Sequence, residues 1–165
     1  LQGVVSLLES EGFIPVSALG FVPSLQTPAG IMTRREPTRQ EKEDILFGWP
    51  LAQQIGRMDI GQCVVVKEHM VVAVEAMEGT NETITRAGRL GGKGCVVIKS
   101  FKPGQEENVD QPAIGLETVR TMIKAEATCL AIEAKRSLFF DREKSIEVAN
   151  EARICVLGYH ADLEL

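Results

Sequence analysis

The chain has 165 residues, of which 44% are hydrophobic and 25% charged, and its formal net charge is −5. These proportions argue against disorder, and the acidic balance argues against a general nucleic-acid binder. The longest unbroken apolar stretches, such as residues 70–74, fall far short of the roughly 20 residues that a membrane-spanning helix needs. We therefore expect a mildly acidic globular domain.

The N-terminal part predicts a helix and a connector. Residues 2–12 carry apolar side chains at helical spacing and end in glycine. Residues 13–37 contain four of the seven prolines, which indicates an extended connector with one short strand near Ile14. We predict that residues 1–37 are a helix tail and Pro-rich connector following another domain, and that residues 38–165 form a C-terminal catalytic-type α/β domain.

A helix is predicted to begin after Thr38. Glu41 follows three residues later, which is the pattern of a capping box. Gly48 and Pro50 then interrupt the helical pattern, so we expect a kinked or two-piece helix.

The rest of the chain predicts strands and helices in alternation. Two β-rich runs, 62–67 and 71–76, are separated by three residues that favour a tight hairpin. A helix is predicted after Thr80, and further elements follow in the order strand, helix, strand, helix, strand, over 95–99, 116–123, 129–132, 141–152 and 154–157. Such alternation predicts an α/β fold, with a mixed β-sheet, partly parallel, and flanking helices.

One polar stretch, residues 101–115, has no periodicity. It contains two prolines and two glycines and is the longest irregular segment in the body of the chain. Segments of this length in compact domains are usually functional or disordered.

The cysteine pattern favours buried thiols over disulfides. Each of Cys63, Cys95, Cys129 and Cys155 lies in an apolar, strand-like run, and the sequence has no CxxC pair. Buried cysteine behaves as a small hydrophobic residue, so we expect four core thiols in a reducing compartment.

Carboxylates at the ends of apolar strands are the most unusual feature of the sequence. The acids concerned are Asp59, Glu75, Glu78, Asp110 and Glu133. Removing an ionised carboxylate from water costs free energy unless a positive charge lies close to it. One reading is a divalent cation, since Mg²⁺ takes oxygen ligands and shares them with phosphates. The other is structural pairing with basic residues such as Arg86, Lys99, Lys102 and Arg136. With only two histidines, nucleophilic triads and histidine-bound zinc are disfavoured.

Two positions in the sequence are candidates for binding phosphate. Gly79 and Thr80 would open a helix, whose N-terminus binds anions, although an ordinary threonine N-cap fits the same pattern. Lys99 and Lys102 flank the start of the irregular stretch and are either phosphate ligands or solvated lysines.

Several strings together resemble one family. These are IGRMDIGQCVVVKEHMVVAVEAMEGTNETITRAGRL at 55–90, KSFKPGQEENVDQPAIG at 99–115 and the later AIEA. With the motifs DIGQ, VEAxEGT and KPxQ…VDxPxIG in order, the chain is similar to the metal-dependent UDP-2,3-diacylglucosamine pyrophosphatases of lipid A biosynthesis, specifically to their C-terminal domain and connector.

The resemblance implies an activity and a location. Family members hydrolyse UDP-2,3-diacylglucosamine to lipid X and UMP, with water attacking a phosphorus atom and Mg²⁺ or Mn²⁺ assisting. It implies a cytoplasmic, peripheral enzyme at the inner face of the inner membrane, with this nucleotide lipid as its partner and no nucleic acid. A homodimer is compatible with it.

The resemblance also assigns residues. Asp110 matches the catalytic acid of the family. The expected substrate-binding residues are Gly79, Thr80, Lys102 and Gln105. The expected metal ligands are Asp59, Glu75, Glu78 and Glu133.

Two departures from the family pattern keep a second function open. Asn81 stands where the family usually has Asp, and Asn108 stands where Arg is common. Both favour the alternative of a non-catalytic ligand-binding or oligomerisation domain that retains the fold. A hydrolase of a soluble nucleotide sugar is a third reading.

Overall fold

The computed structural model describes residues 2–14, 16–102 and 111–161. It confirms an α/β fold with a mixed sheet and flanking helices. The helices are α1 (Gln2–Ser10), α2 (Ala18–Phe21), α3 (Arg39–Arg57), α4 (Thr80–Gly91), α5 (Leu116–Lys124) and α6 (Arg142–Glu151). The strands are β1 (Gly30–Ile31), β2 (Cys63–Lys67), β3 (Met70–Val74), β4 (Val96–Lys99), β5 (Ala113–Ile114), β6 (Cys129–Glu133), β7 (Leu138–Phe139) and β8 (Cys155–Tyr159).

Six strands form the main sheet in the order β1-β8-β6-β4-β2-β3. Strands β4, β6 and β8 are parallel, as the alternation of strands and helices predicts, whereas β2 and β1 run antiparallel to their neighbours. Strands β5 and β7 form a separate parallel pair. The carboxyl ends of β4, β6, β8 and β3 therefore lie at one edge of the main sheet, together with the start of β2.

The two faces of the sheet are covered differently. Helix α3 packs on one face through Ile45, Trp49 and Ala52, and the Trp49 ring meets the Tyr159 ring edge-on with 4.6 Å between centroids. Helices α4, α5 and α6 cover the other face. All four cysteines are buried and free, as predicted for core thiols. Burial of these apolar surfaces supplies most of the stability of the domain.

Helix α3 begins as predicted but is not interrupted. Thr38 and Glu41 form both bonds of a capping box. The helix then continues through Gly48 and Pro50 to Arg57 as one element, so the two-piece alternative is wrong. The structure explains the glycine: a Cβ at position 48 would lie 2.3 Å from Ile98 Cδ1, so Gly48 lets α3 approach the sheet closely.

The hairpin between β2 and β3 has two turn residues, one fewer than predicted, because Met70 already belongs to β3. Glu68 and His69 both have positive φ, 50° and 59°, which is the backbone of the tight turns that suit the twist of a hairpin. Non-glycine residues tolerate this conformation poorly. The buried Asp44 on α3 compensates, since its carboxylate accepts from Glu68 N at 3.0 Å and His69 N at 2.7 Å.

Replacing Asp44 with alanine should therefore lower the free energy of unfolding by about 2 kcal/mol, because two turn N–H groups lose their acceptor. Urea unfolding measures the change. Glu43→Ala is the matched control, since the neighbouring Glu43 forms a surface pair with Arg39, and its loss should change stability by about 0.5 kcal/mol or less. Equal effects of the two substitutions would contradict the role given to Asp44.

The connector region differs from its prediction. No strand lies near Ile14 in the described part of the chain; instead residues 13–37 hold α2, a 3₁₀ turn at Pro23–Leu25 and strand β1 at Gly30–Ile31. Strand β1 joins the sheet by pairing with β8. The close pairing needs glycine at position 158, where a Cβ would lie 1.8 Å from the Pro28 carbonyl oxygen. Among the described residues, no helix combines the length and the apolar character that crossing a bilayer requires.

Candidate functional site

Three of the candidate residues that the structure describes lie at the carboxyl edge of the parallel strands. Lys99 ends β4, Glu133 ends β6 and Glu75 directly follows β3. Ligands of open α/β sheets bind at this edge. The similar strings VAVEA at 72–76 and LAIEA at 130–134 both end at this edge.

A cavity of about 300 Å³ opens at this edge. Its charged lining residues are Glu75, Lys99 and Lys102, and its polar side chains include Gln62 and Gln111. Backbone of the loop before β2 and of β5 completes the wall. The lining therefore includes two lysines and one glutamate, and lysine is a residue type that can bind an anionic ligand.

Lys102 forms an ion pair with Asp59 at the rim. Lys102 Nζ lies 2.9 Å from Asp59 Oδ1, and the Asp59 side chain is 73% exposed. The hydrogen bond and charge of Lys102 lower the pKa of Asp59 below its usual range. Asp59 is thus ionised at neutral pH and holds the Lys102 ammonium beside the cavity.

Glu75, Thr80 and Lys99 form a connected chain of polar contacts on the α4 side of the sheet. Glu75 Oε1 accepts a hydrogen bond from Thr80 Oγ1 at 2.8 Å, and the same hydroxyl accepts from Lys99 Nζ at 2.9 Å. The other Glu75 oxygen accepts from Gln62 N at 3.1 Å. Glu75 and Lys99 are both largely buried. The hydroxyl of Thr80 thereby fixes the position of the ammonium relative to the carboxylate.

Gly61 makes this arrangement sterically feasible. A Cβ at position 61 would lie 2.1 Å from the Glu75 carbonyl oxygen, so any side chain there would push the loop off the end of β3. This explains the glycine in the DIGQ motif at residues 59–62.

Cys63, which follows the cavity residue Gln62, is not a candidate nucleophile. Burial, together with the charge of Glu75, raises the pKa of Cys63 to about 12. The thiolate is the reactive form, so this thiol is inert at neutral pH.

Glu78 has partners outside the cavity. Its carboxylate accepts from Arg86 at 2.6 Å and from Ala76 N at 3.1 Å. Hydrogen bonds from its own backbone N–H and from Arg86 lower its pKa. Gly79 is the N-cap of α4 with φ of 81°, a conformation that favours glycine. Of the two readings of the sequence for this acid, the structure shows the ion pair with a basic residue, Arg86.

Glu133 lies on the opposite side of the sheet from Glu75. Side chains alternate along a strand, and Cys129 and Ala131 of β6 face α3, so Glu133 faces α3 as well. Its carboxylate accepts from Phe101 N at 2.6 Å. Burial raises the pKa of Glu133 above its usual range, and Arg136 lies 3.7 Å away.

The four predicted metal ligands are therefore divided. Asp59 and Glu75 belong to the cavity region, whereas Glu78 and Glu133 are bonded elsewhere. Within residues 2–14, 16–102 and 111–161, no three His, Cys, Asp or Glu side chains form a group that could hold a metal ion. Asp110 and Gln105 lie outside the described residues, so their predicted roles stay predictions.

Three cavity residues with polar or charged side chains, Gln62, Lys99 and Gln111, are not among the site residues that the family resemblance implies. Gln62 and Gln111 belong to the DIGQ and VDQPAIG strings, and that membership was the available signal. Gln111 Nε2 donates to Ser17 Oγ at 2.9 Å, which joins the cavity wall to the N-terminal region. The sequence leaves Lys99 as either a phosphate ligand or a solvated lysine, because its burial depends on the crossover through α4 and cannot be read from spacing.

Comparison with known proteins identifies relatives of the chain. Residues 28–157 match the family model of the LpxI C-terminal domain. The chain is 36% identical over 166 aligned positions to the UDP-2,3-diacylglucosamine pyrophosphatase LpxI of Caulobacter vibrioides. That alignment covers 96% of this chain and 59% of the relative, so the chain spans about three fifths of the length of the protein it matches.

Proposed function

Because this chain belongs to the LpxI C-terminal domain family, we propose that its protein hydrolyses UDP-2,3-diacylglucosamine to lipid X and UMP, a step of lipid A biosynthesis. The observation that carries the proposal is the cavity at the carboxyl edge of the sheet, where two lysines and a buried glutamate face one space. A diphosphate is the part of this substrate that such a set of charges would recognise.

Hydrolysis of a diphosphate requires neutralisation of the phosphate charge and a correctly oriented water molecule. Phosphoryl transfer is catalysed mainly by positioning and by electrostatic stabilisation of the phosphate oxygens. In the proposal Lys102 binds a phosphate oxygen beside Asp59, and Asp110 acts as general base toward the attacking water. Gly79, Thr80 and Gln105 complete the proposed contacts to substrate.

The proposal includes Mg²⁺ or Mn²⁺. A bound ion of this kind neutralises phosphate charge and lowers the pKa of a bound water. Mg²⁺ is commonly held by one or two carboxylates together with substrate phosphates, so a cluster of three protein ligands is not required. In the proposal Asp59 and Glu75 would hold the ion, because both lie in the cavity region, whereas Glu78 and Glu133 are bonded elsewhere.

The substrate also bears on the location of the protein. Its acyl chains belong in a membrane, so we propose that the protein works at the cytoplasmic face of the inner membrane as a peripheral enzyme. A homodimer is the assembly proposed with it.

The test is release of UMP from UDP-2,3-diacylglucosamine by the full-length protein that contains this chain. We expect turnover with Mg²⁺ or Mn²⁺, and a loss of about a hundredfold or more in excess EDTA that either ion restores. Undiminished activity in EDTA would refute the metal part alone. Absence of UMP release with either ion would refute the hydrolase and favour the non-catalytic ligand-binding domain that Asn81 and Asn108 suggest.

A further inference from the structure

The strongest unassigned feature of the cavity is the buried ammonium group of Lys99. The residue is only 7% exposed although it lines the cavity. Its Nζ donates to Thr80 Oγ1 and to the Ala113 carbonyl oxygen, both at 2.9 Å. A buried charge is unfavourable unless it is paired or well hydrogen-bonded.

The described partners of Lys99 do not neutralise it. Both acceptors are uncharged oxygen atoms, and among the described residues no carboxylate lies within salt-bridge distance of Lys99 Nζ. Glu75 is one hydroxyl group away, since Thr80 stands between the two charges. An ammonium has three N–H donors, so one remains for a ligand in the cavity.

The second lysine of the cavity differs in this respect. Lys102 is directly paired with Asp59, which cancels much of its charge. Two hydrogen bonds fix the position of Lys99, and no described carboxylate pairs with it. Lys99 is therefore better positioned than Lys102 to bind an anion. Preorganised donors gain most because they lose little freedom on binding.

We propose that Lys99 is a phosphate-binding residue for the diphosphate of the substrate, positioned by Thr80 and through it by Glu75. This rests on the proposed function and deepens it, since it assigns the buried floor of the cavity to a phosphate oxygen and Lys102 to the rim. Thr80 then acts as a positioning residue.

The test uses Lys99→Met in the full-length protein, with inorganic pyrophosphate as the probe. Titration calorimetry in EDTA measures binding that no cation mediates. We expect wild type to bind and Lys99→Met to bind at least about tenfold more weakly, as expected for loss of one charge-assisted hydrogen bond. The kcat/KM for UMP release should fall by about a hundredfold. Lys99→Gln, which is neutral but polar, should show the same losses and separates charge from packing.

Lys67→Met is the matched control. Lys67 ends β2 at the opposite edge of the sheet, and its Nζ donates to the Gly91 carbonyl oxygen at 2.7 Å. Its loss should leave pyrophosphate affinity and kcat/KM within about twofold of wild type, the range expected for a change distant from the cavity.

The outcomes separate the two proposals. If wild type binds no pyrophosphate, or Lys99→Met and Lys99→Gln bind it as well as wild type does, the assignment of Lys99 is overturned whatever the enzyme activity. If both variants lose pyrophosphate while wild type releases no UMP, the assignment of Lys99 stands as an anion site and the hydrolase proposal fails.

Discussion

Replacing Arg35 with methionine is expected to lower the free energy of unfolding by about 3 kcal/mol, the range found when one partner of a buried ion pair is removed. Arg35 meets both oxygens of Glu41 at 2.8 Å, and the Glu41 side chain is only 8% exposed. The same guanidinium donates to the carbonyl oxygens of Thr128 and Arg153. Its removal leaves the Glu41 carboxylate buried without its cation, and the segment before α3 loses its bonds to the residue before β6 and to the turn between α6 and β8.

Arg39→Met provides the control for this prediction. Arg39 pairs with Glu43 on the surface of the same helix, and its side chain is 94% exposed. Exposed pairs contribute about 0.5 kcal/mol or less. Urea unfolding of both variants measures the difference. An equal loss of unfolding free energy in the two variants would contradict the role given to the Arg35–Glu41 pair.

The Arg35 effect should depend on pH in a defined direction. Burial alone would raise the pKa of Glu41, but hydrogen bonds, foremost that from Arg35, outweigh it and hold the pKa below its ordinary value. A lowered carboxyl pKa contributes stability above the ordinary glutamate value of about 4.3, and this stability is lost as pH falls through the folded-state pKa. The gap between wild type and Arg35→Met should therefore be widest near neutrality and narrow in acid.

Replacing Asp110 with asparagine is expected to reduce kcat for UMP release by about a thousandfold, within the range attributed to a general base. Asparagine keeps the size of the side chain and removes its charge and basicity. The next residue in sequence, Gln111, lines the cavity with Lys99 and Lys102. Single-turnover measurements on the full-length protein test the chemical step separately from product release.

Asp141→Asn is the control for Asp110. Asp141 is the N-cap of α6, makes no side-chain capping bond and has φ of 47°, which asparagine accepts readily. It should retain wild-type turnover. A fall of less than about threefold in Asp110→Asn would remove this residue from the proposed mechanism, because a general base contributes at least about a hundredfold.

The sequence predicted that Glu75 and Glu133 lie at strand ends, but it could not predict on which face of the sheet each side chain lies. Strand patterns ending in Glu75 and Glu133 correctly indicated two acids at strand ends. Their sides depend on register, since a shift of one residue turns every side chain to the other face. Ala73 packs with α4 whereas the corresponding Ala131 packs with α3, so the two glutamates are separated by the sheet.

Glycine was the other source of error. In the sequence Gly48 indicates a helix break, because glycine and proline are the usual interruptions. In the fold it is the contact point between α3 and Ile98, which no local pattern reveals. The burial of Lys99 is similar, since its partner Thr80 lies 19 residues earlier and reaches it only through the crossover of α4.

The contact between α3 and β8 has a practical consequence for spectroscopy. The chain contains one tryptophan and one tyrosine, and these are the two rings that meet at 4.6 Å between centroids. Indole emission should therefore shift to longer wavelength when this helix leaves the sheet, and light absorbed by the phenol should be passed to the indole only while the two stay together. Intrinsic fluorescence thus reports on the contact between α3 and β8 without any attached label.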